Sequence, residues 1–85
     1  MVPYYLILCR SLTYAQRTAF TLGRVGITAP IQRAPKSIAD EGCSHAVRVP
    51  EYQLQRALAA LARANMTPSR IFLGQSDGQY REVMF

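Results

Sequence analysis

The chain has two cysteines, one histidine and one lysine. Each scarcity removes a class of function. Two cysteines and one histidine are too few soft ligands for a closed zinc site within one chain, so no metal is expected. The cysteines stand at 9 and 43 with no Cys-x-x-Cys spacing. That excludes a thioredoxin-type couple and a copper-chaperone motif. No P-loop or dinucleotide fingerprint occurs, so no nucleotide cofactor is implied. No stretch approaches the roughly 20 apolar residues of a membrane span. The run Tyr4-Tyr5-Leu6-Ile7-Leu8-Cys9 is too short for a secretory h-region and has no basic residue before it. The cytoplasm is the expected location, where thiols stay reduced. A redox or carrier role then suits the cysteines better than a staple.

Acids are also scarce: five against ten Lys and Arg, for a net charge of +5. Such a balance favours anionic partners. The cations form no run, which argues against nucleic acid as the main partner. Arg17 and Arg24, and again Arg56 and Arg63, are seven apart, so each pair shares a helix face, read as solvated with a binding stripe as the alternative. With 85 residues, 49% of them apolar, the chain makes one domain with a modest core. A chain this short buries about 60–65% of its unfolded surface. Its stability should be on the order of 5 kcal/mol unless it oligomerises.

Tyr4 to Cys9 reads as a buried strand. Thr13, or alternatively Ser11, caps a helix in which Ala15, Ala19 and Leu22 recur, ending near Gly26. Ile27 to Arg33 is a second strand, confined by Pro30 to an edge or a bulge. Ala34 to Gly42 is a loop, and Ser44 to Val49 a third strand with Val47 and Val49 on one face. Pro50 or Glu51 opens a second helix. Its apolar positions Leu54, Ala57, Leu58, Leu61 and Ala62 give the cleanest periodicity in the chain. Asn65 and Pro68 end it, and Arg70 to Leu73 is a fourth strand. Ser76-Asp77-Gly78-Gln79 suits a type I′ turn into a fifth strand, Tyr80 to Phe85. The order predicts an α+β, ferredoxin-like βαββαβ sandwich. Two helices cover one face of an antiparallel sheet, and a C-terminal β-hairpin extends it. In that fold the end of strand one lies beside the start of strand three and the N-terminus of the first helix.

The functional candidate is the non-periodic stretch from Arg33 to Arg48. Gly42 can take backbone angles closed to other residues and present Cys43 at a loop end. Arg33, Lys36, His45 and Arg48 lie within ten residues of that thiol. A thiol among cations is a candidate thiolate, the nucleophilic form. Cys43 is otherwise a small buried apolar side chain. Cys9 is a core thiol or a resolving partner for Cys43, which needs Cα atoms within about 7 Å. His45 is a structural residue of the sheet face or a proton relay that points the same way as Cys43. Arg10 and Lys36 are ordinary surface charge, or they stabilise the thiolate and bind an anionic substrate. Asp40 and Glu41 are adjacent in sequence and read as solvated. Tyr4 and Tyr5 are similar to the base-stacking residues of ferredoxin-like RNA-binding domains, but the consensus of those domains is missing.

The opening Tyr-Leu-Ile-Leu strand, the helix ending in Gly26-Ile27, Pro35-Lys36-Ser37-Ile38 and Gly42-Cys43-Ser44-His45-Ala46-Val47-Arg48-Val49 form a set. Together they resemble the small bacterial family described as putative selenium/sulfur carrier protein-like, over roughly Tyr4 to Phe72. Many members have Cys-Gly where this chain has Cys43-Ser44, and the C-terminal hairpin is an addition suited to a homodimer. The resemblance implies that Cys43 carries sulfur or selenium as a persulfide or perselenide between donor and acceptor proteins. That is a carrier rather than a stand-alone enzyme. Two other classes stay open: a binding or adaptor module using the basic surface for nucleic acid or protein, and a Cys9/Cys43 thiol-disulfide switch.

Overall fold

Leu6, Ile7, Leu8 and Cys9 are buried one after another, so both faces of the first strand must be covered. In the computed structural model, which describes residues 3–39 and 44–84, that strand, β1 (Tyr4–Cys9), is the middle of the sheet. The elements that follow are α1 (Leu12–Gly23), β2 (Ile31–Arg33), β3 (His45–Pro50), α2 (Leu54–Arg63), β4 (Arg70–Gly74) and β5 (Tyr80–Val83). The strands are ordered β2-β3-β1-β4-β5, and every neighbouring pair is antiparallel. α1 crosses from β1 to the edge strand β2, and α2 crosses from β3 to β4.

Alternation of side chains divides β1 between two cores. Ile7 and Cys9 pack with Val47, Val49 and Ile71 beneath Ala15 and Leu22 of α1 and Ala57 and Leu61 of α2. Leu6 and Leu8 point to the helix-free face, where Ala46, Phe72 and Ile38 cover them. Ile38 comes from the loop after β2. Its amide and that of Ala39 both donate to the Pro35 carbonyl, at 3.0 and 2.9 Å, which folds the loop into a turn against the sheet. Tyr4 lies across Gly74, its partner in β4, and a Cβ on Gly74 would stand 2.9 Å from the Tyr4 ring.

Both helices end in the same way. Gly26 has φ of 84°, and the Ile27 amide reaches back to the Leu22 carbonyl at 3.0 Å. Asn65 has φ of 59°, and the Met66 amide reaches back to Leu61 at 2.8 Å. In each case a left-handed residue is followed by a buried apolar one packed on the last turn, the Schellman arrangement.

Four local expectations are corrected. Ser11, not Thr13, caps α1: it is extended (φ −157°, ψ 164°) and its side chain accepts from the Tyr14 amide at 3.0 Å, while Thr13 is already helical. β2 begins only at Ile31, because Pro30 has no N–H to donate; its carbonyl accepts from the Arg48 amide at 2.9 Å. A 3-10 turn, Glu51–Gln53, precedes α2. The β4–β5 turn is not type I′, which needs positive φ at two residues. Gly78 alone has it (φ 84°), its amide donates to the Gln75 carbonyl at 3.0 Å, and Gln75 and Gln79 close the hairpin at 2.9 Å.

The left-handed Asn65 is a point of mild strain, because L side chains crowd the carbonyl there. Asn65→Ala should lower stability by about 1 kcal/mol, while Asn65→Gly stays within about 0.5 kcal/mol of the parent. Thermal denaturation checks this, and equal losses in the two variants would contradict the capping account.

Candidate functional site

The site is built on one row of the sheet. Cys9, the last residue of β1, is paired with His45, the first of β3, and His45 is paired in turn with Arg33, the last of β2. Paired residues of antiparallel strands have Cα atoms about 4.5–5.5 Å apart and project on the same side. His45 shares its parity with Val47 and Val49, so the row Arg33–His45–Cys9 lies on the helix-bearing face at the end of the sheet. Arg33 is exposed, His45 half-buried and Cys9 buried.

The chain leaves Cys9 through Arg10 and Ser11 straight into α1, which carries no acid in its first turn. The positive end of the helix dipole therefore faces this row without a carboxylate to compensate it. The Arg10 guanidinium stacks over the Tyr14 ring at 4.9 Å, a cation–π contact that holds it beside the helix start. The Ser69 hydroxyl donates to the Leu8 carbonyl at 3.2 Å, and the Tyr14 hydroxyl to the Thr67 carbonyl at 3.4 Å. These bonds tie the segment before β4 to the same corner. The Cys9 sulfur lies 3.5 Å from the Ile7 carbonyl, to which it donates.

The loop after β2 is closed at its base by a 2.8 Å bond from the Ala34 amide to the Ser44 carbonyl. The Ser44 hydroxyl and His45 Nδ1 are 3.3 Å apart, so the histidine is held from the loop side as well. Pro35 opens the turn that seats Ile38, and Lys36 is exposed on it. Asp40, Glu41, Gly42 and Cys43 lie outside the described residues. Three cations belong to this part of the chain: Arg33 in the row itself, Arg10 directly after Cys9, and Lys36 on the loop turn. Among the described residues, no three His, Cys, Asp or Glu side chains gather as a metal site.

Arg48 is elsewhere. It shares parity with Ala46, pairs with Leu6, and its guanidinium stands 5.4 Å above the Tyr4 ring on the helix-free face. Its odd separation from His45, three positions along the strand, sends it to the opposite side.

The sequence reading missed the polar cluster on that face. The Tyr4 and Tyr80 hydroxyls are 3.1 Å apart. Arg70 makes a bidentate pair with Glu82, at 2.9 and 2.7 Å, which holds the Glu82 carboxyl below its ordinary range. A groove of about 430 Å³, lined by Ser37, Ile38, Phe72, Gly78, Gln79 and Tyr80, separates the loop turn from the hairpin. The available signal was parity: Tyr80 and Glu82 alternate in a strand that had to pair with β4.

These features define a small α+β protein in which the chain between β2 and β3 rejoins the sheet at Ser44 and His45, beside the start of α1. The chain belongs to the family described as putative Se/S carrier protein-like, which matches residues 4–73. The match ends within β4, so β5 and its turn lie beyond it. No curated protein and no solved structure matches the chain. No helix among the described residues is long and apolar enough to cross a membrane.

Tyr80 supplies a pH test of the helix-free face. The hydrogen bond with Tyr4, which favours the protonated hydroxyl, and then burial push Tyr80 from an ordinary 10.0 up to about 12. The folded chain therefore keeps a proton that the unfolded chain has lost between those values. This stabilisation is complete below pH 10.0 and is lost as the pH rises through about 12. Denaturant unfolding across that window should show stability falling with pH, and Tyr80→Phe should flatten the fall. An unchanged slope in the variant would remove the assignment.

Proposed function

We propose that this chain is a sulfur or selenium carrier that holds the atom on Cys43 and passes it to an acceptor protein. Family membership supports the class. The observation that carries the residue assignment is the pairing of Cys9 with His45 at the start of α1. It gives the residue bonded to Cys43, Ser44, a fixed neighbour in His45 and a positive surround from Arg10, Arg33 and the helix end.

The chemistry is thiol–disulfide-type exchange. The Cys43 thiolate attacks the terminal sulfur of a donor persulfide. A new S–S bond forms at Cys43, the donor's S–S bond breaks, and the donor leaves as a thiolate. The acceptor's thiolate then attacks the carried sulfur, and Cys43 departs as the thiolate it began as. No external oxidant or reductant enters. The selenium version differs only in the atom transferred. Arg10, Arg33 and Lys36 favour the thiolate, and His45 takes or returns the proton as Cys43 changes state. The strand order with β5 set aside, β2-β3-β1-β4, supports reading the core as ferredoxin-like. We place the carrier in the cytoplasm, where its thiols stay reduced.

Incubation with a low-molecular-weight persulfide, followed by intact mass measurement, tests this directly. The parent chain should gain one sulfur atom, and Cys9→Ser should gain it equally. Cys43→Ser should gain none while keeping its circular dichroism and melting temperature. Loading of Cys43→Ser, or of Cys9 in the parent, would refute the assignment.

A further inference from the structure

The two helices carry charge of one sign only. Arg17 lies in α1 and Arg24 directly follows it, Arg56 and Arg63 lie in α2, and neither helix contains an acid. The described acids lie elsewhere: Glu51 before α2, Asp77 in the hairpin turn and Glu82 on β5, paired with Arg70. The helical layer is thus purely cationic, while the sheet layer is mixed.

Two of the four arginines have local explanations. Arg56 donates to the Val25 carbonyl at 2.7 Å and so ties α2 to the end of α1. Arg63 stands in the last turn of α2, where a cation complements the helix dipole. Those roles do not account for the alignment. Arg24 and Arg63 border one groove of about 430 Å³ along the α1–α2 seam, with Thr21, Val25, Ala60 and Ala64. Arg17 lies four residues before Thr21 and seven before Arg24, so it extends the same face of α1. Phe20, four before Arg24, is 68% exposed on that side of the helix, a large apolar group that the fold leaves in water.

We propose that the α1–α2 seam is a docking surface for an acidic, amphipathic segment of a protein partner. The groove offers two chemistries together. Val25, Ala60 and Ala64 give the groove apolar walls between the guanidinium groups of Arg24 and Arg63, and helical spacing sets Phe20 and Arg17 beside it on α1. A segment with carboxylates beside aliphatic side chains satisfies both; carboxylates suit the planar fork of Arg. Nucleic acid satisfies only the charge. Its phosphates carry no aliphatic groups to fill the groove, and a single phenylalanine is a poor stacking platform for successive bases. The surface uses neither Cys43 nor the row Arg33–His45–Cys9, so it stands apart from the sulfur chemistry proposed above.

The test uses the full chain, labelled with ¹⁵N, and a fluorescent synthetic peptide in which Asp and Glu alternate with Leu and Phe. An Asn/Gln version of the peptide and a single-stranded oligothymidine of equal charge are the comparators. The acidic peptide should bind and shift the amides of Thr21, Arg24, Ala60 and Arg63. The double variant Arg24→Gln/Arg63→Gln should weaken it by about tenfold or more, and Phe20→Ser should weaken it too. All these side chains are exposed, and melting curves check that the variants fold. Arg81→Gln, on β5, removes a cation elsewhere and should leave affinity unchanged. Cys43→Ser should bind as the parent does, which separates this result from the fate of the carrier assignment. Absence of acidic-peptide binding, equal binding of the neutral peptide, or indifference to Arg24→Gln/Arg63→Gln would overturn the proposal. Tighter binding of the oligothymidine, lost in the same double variant, would reassign the seam to nucleic acid.

Discussion

Everything in this molecule depends on the hydrogen-bonded place of β1 between β3 and β4. A strand paired on both edges and buried on both faces cannot slide, because a shift of one residue would carry Ile7 and Cys9 out of the helix-side core and bring Leu6 and Leu8 into it. That register is what sets Cys9 against His45 and makes the sheet end a defined corner. It also explains why a loop turn must supply Ile38: without it, Leu6, Leu8 and Phe72 would face water on the helix-free side. Burial is thus the reason that the segment leading toward the conspicuous cysteine is folded against the sheet along its first half.

The charges follow the same division into layers. Arginine is placed where the fold has carbonyls or rings to receive it: Arg10 on Tyr14, Arg48 on Tyr4, Arg56 on the Val25 carbonyl, Arg70 on Glu82 and Phe72. Against that background the cations that remain exposed become informative. Apart from Arg81 on β5, they fall into two groups. One surrounds the sheet corner at the start of α1, and the other flanks the seam between the helices. The first has the chemistry to stabilise an anion as small as a thiolate. The second is too extended for that, and it is lined with apolar groups that a small anion would not use.

Much of the architecture was legible from local signals. The apolar run of β1 appears with its expected bounds, and the period of Leu54, Ala57 and Leu61 marks the buried face of α2. The errors have local causes too. Thr13 and Ser11 are both good caps, and only the extended backbone at Ser11 decides between them. Asp77-Gly78 fits a two-residue turn, but the hairpin closes at Gln75 and Gln79 and needs positive φ at Gly78 alone. Ile27 and Ala29 have the composition of a strand yet are buried outside the sheet, since Pro30 denies them a ladder. At Arg48 the structure adds what the sequence order alone does not give, the face of the strand: it lies opposite His45, over the Tyr4 ring.

What the sequence determined by itself was the inventory: two helices, a set of short strands, a glycine-cysteine loop followed by histidine, and an excess of arginine. Those properties are written in periods, caps and turn residues that act within a few positions of one another. The tertiary structure alone decided which residues meet. The 3.1 Å contact of Tyr4 with Tyr80 spans 76 positions, the Cys9–His45 pair spans two elements, and Arg24 shares a groove with Arg63 only because α1 and α2 pack on the same face. Such contacts are chosen by the burial of two sheet faces at once, a condition on the whole chain that no short stretch of it contains.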